Sequence, residues 1–305
     1  MRISTNTIYQ TGISKLSDLQ INQSKLQQQI ATGRRILSPS DDPIAAARAL
    51  EVSHEKEVNK SFADTRQTAT LKLNTLEANL TSVTNLLVAT QSTLVGAGNG
   101  SLSNSERKIF ATELKGSLEA LIGLANTQDA SGNYIYSGFK SSTPTYTATA
   151  TGATYNGDAQ QQLLQVDPQR QMSVNVTGDS LFTGGANDAF ATLTNIVNLL
   201  NTPITNAATQ TNFTNGLTSA IGNMQAAVDN VLNVRTSIGT KLNELEALDV
   251  AGTDRDLQYR AALSDLQDLD YTAALSDLAK LDTILQAAQK SFVTTTSLSL
   301  FNFMN

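Results

Sequence analysis

Residues 271–305 read YTAALSDLAKLDTILQAAQKSFVTTTSLSLFNFMN, a stretch in which small and apolar side chains recur at alternating spacings of four and three. This spacing is typical of a coiled-coil seam, a narrow apolar stripe along one side of a long helix. A helix with so narrow a stripe needs a partner helix to cover it. The recurring positions are Ala274, Leu278, Leu281, Leu285, Ala288, Phe292 and Thr295.

The opposite end of the chain offers such a partner, because it shows the same spacing. Its weaker positions are Gln23 and Gly33. The two terminal helices could pair within one chain or between many copies, and two ordinary amphipathic helices on a globular core remain a third interpretation. The apolar positions of this N-terminal stripe are Leu16, Leu19, Leu26, Ile30 and Leu37.

Composition restricts the kind of protein this can be. Aromatic residues make up only 5% of the chain and tryptophan is absent, which suits long helices with narrow stripes better than one large globular core. The net charge of −6 argues against nucleic-acid binding. The absence of cysteine excludes disulfides and thiolate metal sites. We expect no membrane span and no cleavable secretory signal, because no long apolar run is present.

The segments between the ends predict further helices. Asp42 and Pro43 are a good N-cap and first helical residue, and the helix that follows extends to the glycine cluster at 96–100. A third helix is predicted from Ser103 or Ser105 to Thr127. Later helices are predicted from Asp188 to Pro203, from Asn212 to Leu248 with Arg235 interrupting its stripe, and again after a loop at 251–253.

The middle of the chain differs in kind. Asn133–Phe139 is interpreted as a short strand, and residues 140–186 alternate as further strands with a turn at 155–158. The prediction is therefore a mainly α protein with long coiled-coil-forming helices from both termini, a helical rod and a small β-rich insertion. Its domains are expected at 1–44 with 269–305 (terminal coiled coil), 45–140 with 187–268 (rod), and 141–186 (outer insertion).

Residues able to do chemistry are scarce. The single histidine, His54, lies among charged residues of a predicted helix and is interpreted as a surface side chain. Asp268 and Asp270 match the first and third positions of a calcium-binding loop. The sixth and twelfth positions of that loop require Gly and Glu, but this chain has Ala273 and Ala279 there. The sequence therefore predicts no enzyme, no cofactor and no metal site.

Five short segments together carry a family resemblance. They resemble the flagellin-like axial proteins of bacterial flagella, and within that family the subunits that join hook to filament. The resemblance covers about residues 1–140 and 187–305. The segments are Met1–Thr5, Ser38–Ala45, Asn133–Gly138, Val234–Gly239 and Ser299–Phe301.

The resemblance implies a secreted, extracellular structural subunit, exported unfolded through the flagellar type III apparatus. It implies self-assembly into a ring at the distal end of the hook, between a neighbouring hook-associated junction protein and flagellin, with an export chaperone binding the C-terminal segment. Nucleic acid, membranes and small-molecule substrates are not expected partners. The terminal helices would form the inner layer, and their stripe residues would pack subunits together.

Three alternatives to a junction subunit remain: flagellin itself, a type III secretion tip or translocator protein, and an enzyme with a helical core. We also expect the terminal helices to become ordered on assembly, because one narrow stripe offsets little of their ordering cost. The insertion at 141–186 is expected to be a solvent-facing spacer that assembly does not require.

Overall fold

The computed structural model describes residues 5–183 and 188–301, and most of them are helical. Six α-helices are joined by two small antiparallel hairpins and one π-helical turn, Asp179–Thr183. This confirms the predicted mainly α fold with a small β insertion. The helices are α1 Thr5–Thr32, α2 Pro43–Ala97, α3 Asn104–Ala125, α4 Ala189–Asn201, α5 Ala207–Gln267 and α6 Tyr271–Phe301. The strands are β1 Tyr146–Thr149, β2 Gly152–Tyr155, β3 Leu163–Asp167 and β4 Arg170–Ser173.

Two helix starts follow from the capping residues that the sequence indicated. Asp42 precedes Pro43, and its carboxylate accepts a hydrogen bond from the Ala45 N–H at 3.0 Å. Ser103 and Glu106 form a reciprocal capping box at α3, in which the Ser103 hydroxyl accepts from the Glu106 N–H and the Glu106 carboxylate accepts from the Ser103 N–H. Both starts are confirmed.

Three local predictions are wrong. The segment 133–139 forms one bridge, between Gln128 and Tyr134, and then turns, and Gly138 at its end has a φ of 68°, outside the extended range. The expected loop at 251–253 is helical, since one glycine costs a helix only about 1 kcal/mol and α5 is long on both sides of it. The helix that was predicted to reach Leu37 ends at Thr32, where Gly33 takes a φ of 69°.

The hairpin turns lie close to the expected strands but not all where they were predicted. β1 and β2 pair in register from Tyr146↔Tyr155 to Thr149↔Gly152, so the turn falls at 150–151, before the predicted turn at 155–158. The predicted turn at 155–158 instead leads out of β2. β3 and β4 pair from Leu163↔Ser173, with an irregularity between Gln165 and Asp167.

The chain divides into two compact units. One comprises Met1–Asn59 and Thr253–Asn305, and it contains α1, α6 and the adjoining ends of α2 and α5. The other, Lys60–Gly252, contains the remaining helices and both hairpins around one buried core.

The hairpins contribute to that core directly. Tyr146, Val166 and Met172 are almost fully buried, and they belong to the same cluster as the buried side chains of α2, α3, α4 and α5. The expectation of a solvent-facing spacer is therefore corrected, since one side of each hairpin is part of the hydrophobic core.

Candidate assembly surface

The terminal helices α1 and α6 pack against each other along the stripes that their sequences indicate. On α6, Ala274 is 4% exposed and Leu285 is 9% exposed. Of the alternatives left open by the sequence, the described residues show pairing within one chain. The other stripe positions that are at least half-buried on the two helices are Leu16, Leu19, Leu26, Ile30, Leu278, Leu281, Ala288 and Phe292.

Among the apolar stripe residues, Leu37 lies off these helices. It is half-buried in the connection between α1 and α2, because α1 has already ended at Thr32. Its backbone N–H donates to the Asp41 carboxylate at 3.0 Å. Leu37 is therefore part of the α1–α2 connection and not part of the helical stripe.

Two aromatic rings are in contact near the start of α1 and the end of α6. The rings of Tyr9 and Phe292 lie 5.3 Å apart between centroids. Gly12 lies so close to the Phe292 ring that a Cβ at this position would come within 2.5 Å of a ring carbon. Farther along, the amide of Gln23 donates to the Asp282 carboxylate, so the polar interruption of the stripe has a partner on the opposite helix.

The connection between α1 and α2 is hydrogen-bonded to the connection between α5 and α6. The Arg35 N–H donates to the Gln267 carbonyl at 2.7 Å, and the Leu269 N–H donates to the Gly33 carbonyl at 2.9 Å. The Arg35 guanidinium also reaches the Leu266 carbonyl at 2.9 Å. The α1–α2 connection and the α5–α6 connection thus form a single joint.

Asp41 organises the α1–α2 side of this joint. Its carboxylate accepts the N–H groups of Leu37 and Ser38, each at 3.0 Å, and pairs with the Lys25 ammonium at 2.6 Å. These contacts lower the pKa of Asp41 to about 2, and the hydrogen bond with Lys25 has the largest effect. The sequence did not indicate this role of Asp41, because its partner Lys25 lies on the preceding helix.

Large aliphatic side chains remain in water on other sides of the helix pair. Ile21 of α1 is 62% exposed, and Ile284 of α6 is 52% exposed. Ile13, Leu275 and Val293 are also exposed. One seam therefore covers only part of the apolar surface of these helices.

The residues that were considered for chemistry have structural surroundings. Asp270 caps α6 by accepting the N–H groups of Thr272 and Ala273. Arg235 pairs with Glu77 at 2.6 Å, and His54 is exposed on α2. Within 5–183 and 188–301 no cluster of three His, Cys, Asp or Glu side chains could hold a metal. None of the helices described there is long and apolar enough to cross a membrane.

Comparison with known proteins then decides the family. Residues 3–141 match the model of the bacterial flagellin N-terminal helical region. The chain is 35% identical to flagellar hook-associated protein 3 of Escherichia coli K12 over 315 aligned positions, covering 99% of both chains. This chain belongs to the hook-associated protein 3 family. Hook-associated protein 3 of Salmonella typhimurium LT2 is 34% identical over the same 99% of both chains.

A solved member of the family shares the fold. The crystal structure of hook-associated protein 3 from Legionella pneumophila superposes with a TM-score of 0.66 at 21% identity, covering 70% of this chain and 98% of that chain. As a member of the hook-associated protein 3 family, the chain is a structural subunit of the bacterial flagellum. The helix pair α1–α6 is accordingly its candidate assembly surface.

Proposed function

We propose that the chain forms the junction between hook and filament by assembling into a ring through its terminal helices. In this proposal the stripe residues of α1 and α6, with Leu37 in the connection that follows α1, build the terminal coiled-coil domain. The exposed aliphatic side chains around Ile21 and Ile284 then pack against neighbouring subunits. The observation that carries the proposal is that a helix pair with one narrow seam leaves these side chains in water, in a chain related over its full length to junction proteins.

A simple energetic comparison supports assembly through this pair. Burying a large aliphatic side chain contributes roughly 1.5–3 kcal/mol, whereas ordering the backbone costs about 1–2 kcal/mol for every residue. With two seam residues in about seven, one pair of helices is at best weakly stable. Contacts with neighbouring subunits supply the missing burial, so the pair becomes fully ordered on assembly.

The partners follow from the position of a junction. A neighbouring hook-associated junction protein on the hook side and flagellin on the filament side would contact the ring. An export chaperone would cover the C-terminal segment 271–305 before secretion through the flagellar type III apparatus, and the assembled protein would be extracellular. The exposed apolar side chains of α6, such as Leu275, give such a chaperone something to cover.

Complementation tests the proposal. A bacterium that lacks its own hook-associated protein 3 receives either the full-length chain or a chain that ends at Asp270 and therefore lacks α6. The full-length chain should restore attached filaments, as counted by electron microscopy, and the shortened chain should not. Attached filaments with the shortened chain would contradict the proposal, and growth of the purified full-length protein into long filaments would favour flagellin instead.

A further inference from the structure

A cavity of about 260 Å³ lies in the second unit, between the α2–α3 connection and the connection that leads into α5. Its lining combines polar side chains with aliphatic and aromatic ones, and it includes Asn104, Gln210, Leu102, Ile204 and Phe213, together with Arg107. No aspartate or glutamate is among the lining residues. The only formal charge in its wall is therefore positive.

That charge is buried and poorly satisfied. Arg107 is only 4% exposed, and its guanidinium lies 5.0 Å from the centre of the Phe213 ring. One of its amino groups donates to the Asn104 side-chain oxygen, which is neutral. Its Nε is buried without an acceptor among the described residues. A guanidinium has five N–H donors, and the Nε–H of Arg107 is a buried one that has no acceptor among the described residues.

The same unit holds another buried arginine, Arg66, which has the carboxylate partner that Arg107 lacks among the described residues. Arg66 is 1% exposed, and its guanidinium contacts the Asp249 carboxylate and donates to the Val166 carbonyl at 3.1 Å. A buried guanidinium that lacks an anion is costly, because water no longer solvates it. Arg66 has an anionic partner within the fold, and Arg107 has none in the part of the chain described.

The place of Arg107 in its helix adds to this cost. Arg107 lies in the first turns of α3, where the helix dipole is positive and favours anions over cations. The adjacent acid, Glu106, is exposed and binds the Ser103 N–H at 2.7 Å. The helix end and the buried guanidinium thus both favour a negative group in the cavity.

We propose that this cavity is a binding site for a carboxylate, which pairs with Arg107. A carboxylate neutralises the single positive charge in the wall, whereas a doubly charged phosphate would bring an uncompensated negative charge into the cavity. The carboxylate comes either from a small organic acid in the medium or from an acidic side chain of another protein chain. This inference concerns a site in Lys60–Gly252 and does not rest on the assembly role of the terminal helices.

Titration of the full-length protein with acetate at constant ionic strength tests the proposal. The arginine Nε–H resonances are followed by ¹H–¹⁵N NMR, and we expect a saturating shift at Arg107. A parallel titration with inorganic phosphate should give weaker binding. A blocked Gly-Glu-Gly peptide distinguishes the sources: tighter binding than acetate indicates a protein side chain, and equal binding indicates a free acid. A linear shift without saturation for every probe, or tighter binding of phosphate than of acetate, would overturn the proposal.

Two matched variants complete the test. Arg107→Met should weaken acetate binding at least about tenfold, whereas Lys108→Met removes the same charge from an exposed neighbour and should leave it unchanged. Thermal unfolding adds an independent readout: acetate should raise the Tm of the native chain and of Lys108→Met but not that of Arg107→Met. If Arg107→Met does not fold, Arg107→Lys takes its place, because it keeps the charge but loses the planar guanidinium. An equal effect of acetate on all variants contradicts the assignment.

Discussion

At the scale of single residues, Gly12 is the position where the Phe292 ring of α6 packs directly on the backbone of α1. A glycine within a helix costs about 0.5–1 kcal/mol relative to alanine, so its presence in α1 needs a reason. The reason is the Phe292 ring, which occupies the space that a Cβ would take. Gly116 in α3 is the matched position, because a Cβ there would meet nothing within 4 Å.

We therefore predict opposite results for the same substitution. Gly116→Ala should stabilise the protein by about 0.5–1 kcal/mol, as measured by urea unfolding. Gly12→Ala should instead displace the Phe292 ring and speed amide hydrogen exchange over the first half of α1. Slower exchange in Gly12→Ala than in the native chain would show that the two helices do not pack as closely as described.

Asp41 carries a prediction about pH. Its pKa in the folded chain is about 2, against an ordinary value of 3.8, so the charged carboxylate favours the folded joint. This contribution is fully present above about pH 4 and is lost as the pH falls from about 4 to about 2. The amide resonances of Leu37 and Ser38, followed by NMR, should titrate with a midpoint near 2.

A matched variant tests the assignment to Asp41. In Asp41→Asn, the amides of Leu37 and Ser38 should lose this titration, while the rest of the spectrum keeps its own. A midpoint near 4 in the native chain, or an unchanged titration in Asp41→Asn, would mean that the contacts with Lys25 and the two N–H groups are not formed.

At the scale of the elements, the β insertion is held by aromatic packing. Phe182, in the π-helical turn, contacts the rings of Tyr136, Tyr146 and Phe190 at centroid distances of 5.6, 5.9 and 5.6 Å. Two of these contacts are edge-to-face. These contacts join the insertion to α4 and to the turns after α3, so the insertion and the helices should unfold together.

Phe182→Ala tests this coupling, with Phe139→Ala as its control. Phe182 is 2% exposed, and its truncation should cost about 3–5 kcal/mol, whereas Phe139 is 61% exposed and its truncation should change stability by less than about 0.5 kcal/mol. Denaturant unfolding followed by near-ultraviolet circular dichroism of the tyrosines measures both. A small loss for Phe182→Ala, or a separate transition for the hairpins, would restore the idea of an independent spacer.

The secondary-structure elements also show which features could be predicted from the sequence. The stripes of α1 and α6, and the caps at Asp42 and Ser103, were predictable because spacing and capping are local signals. The helix through 251–253 was not predictable, because the long helical segments on both sides override the effect of one glycine. The turns at 133–139 were not predictable either, because the residues around Gly138 have high strand propensity and the sequence does not show the positive φ of Gly138. Arg107 was also missed, since its burial depends on Phe213, far along the chain.

At the scale of the whole molecule, the terminal helices carry two kinds of apolar surface. The seam joins α1 to α6 within the chain, and the outward aliphatic side chains are left for neighbouring subunits. Ile21 and Ile284 belong to the second kind, so replacing them should spare the folded monomer and disturb only assembly. Ile109 of α3, which is 68% exposed, offers a control of the same residue type in the other unit.

The most direct measurement is co-sedimentation of purified protein with hooks isolated from a strain that lacks hook-associated protein 3. The double variant Ile21→Lys with Ile284→Lys is compared with Ile109→Lys, after thermal melts have established that both fold like the native chain. We predict that the double variant no longer sediments with hooks, because assembly would bury unpaired charge, whereas Ile109→Lys binds normally. Normal binding of the double variant would contradict the claim that the outer faces of the terminal helices carry assembly.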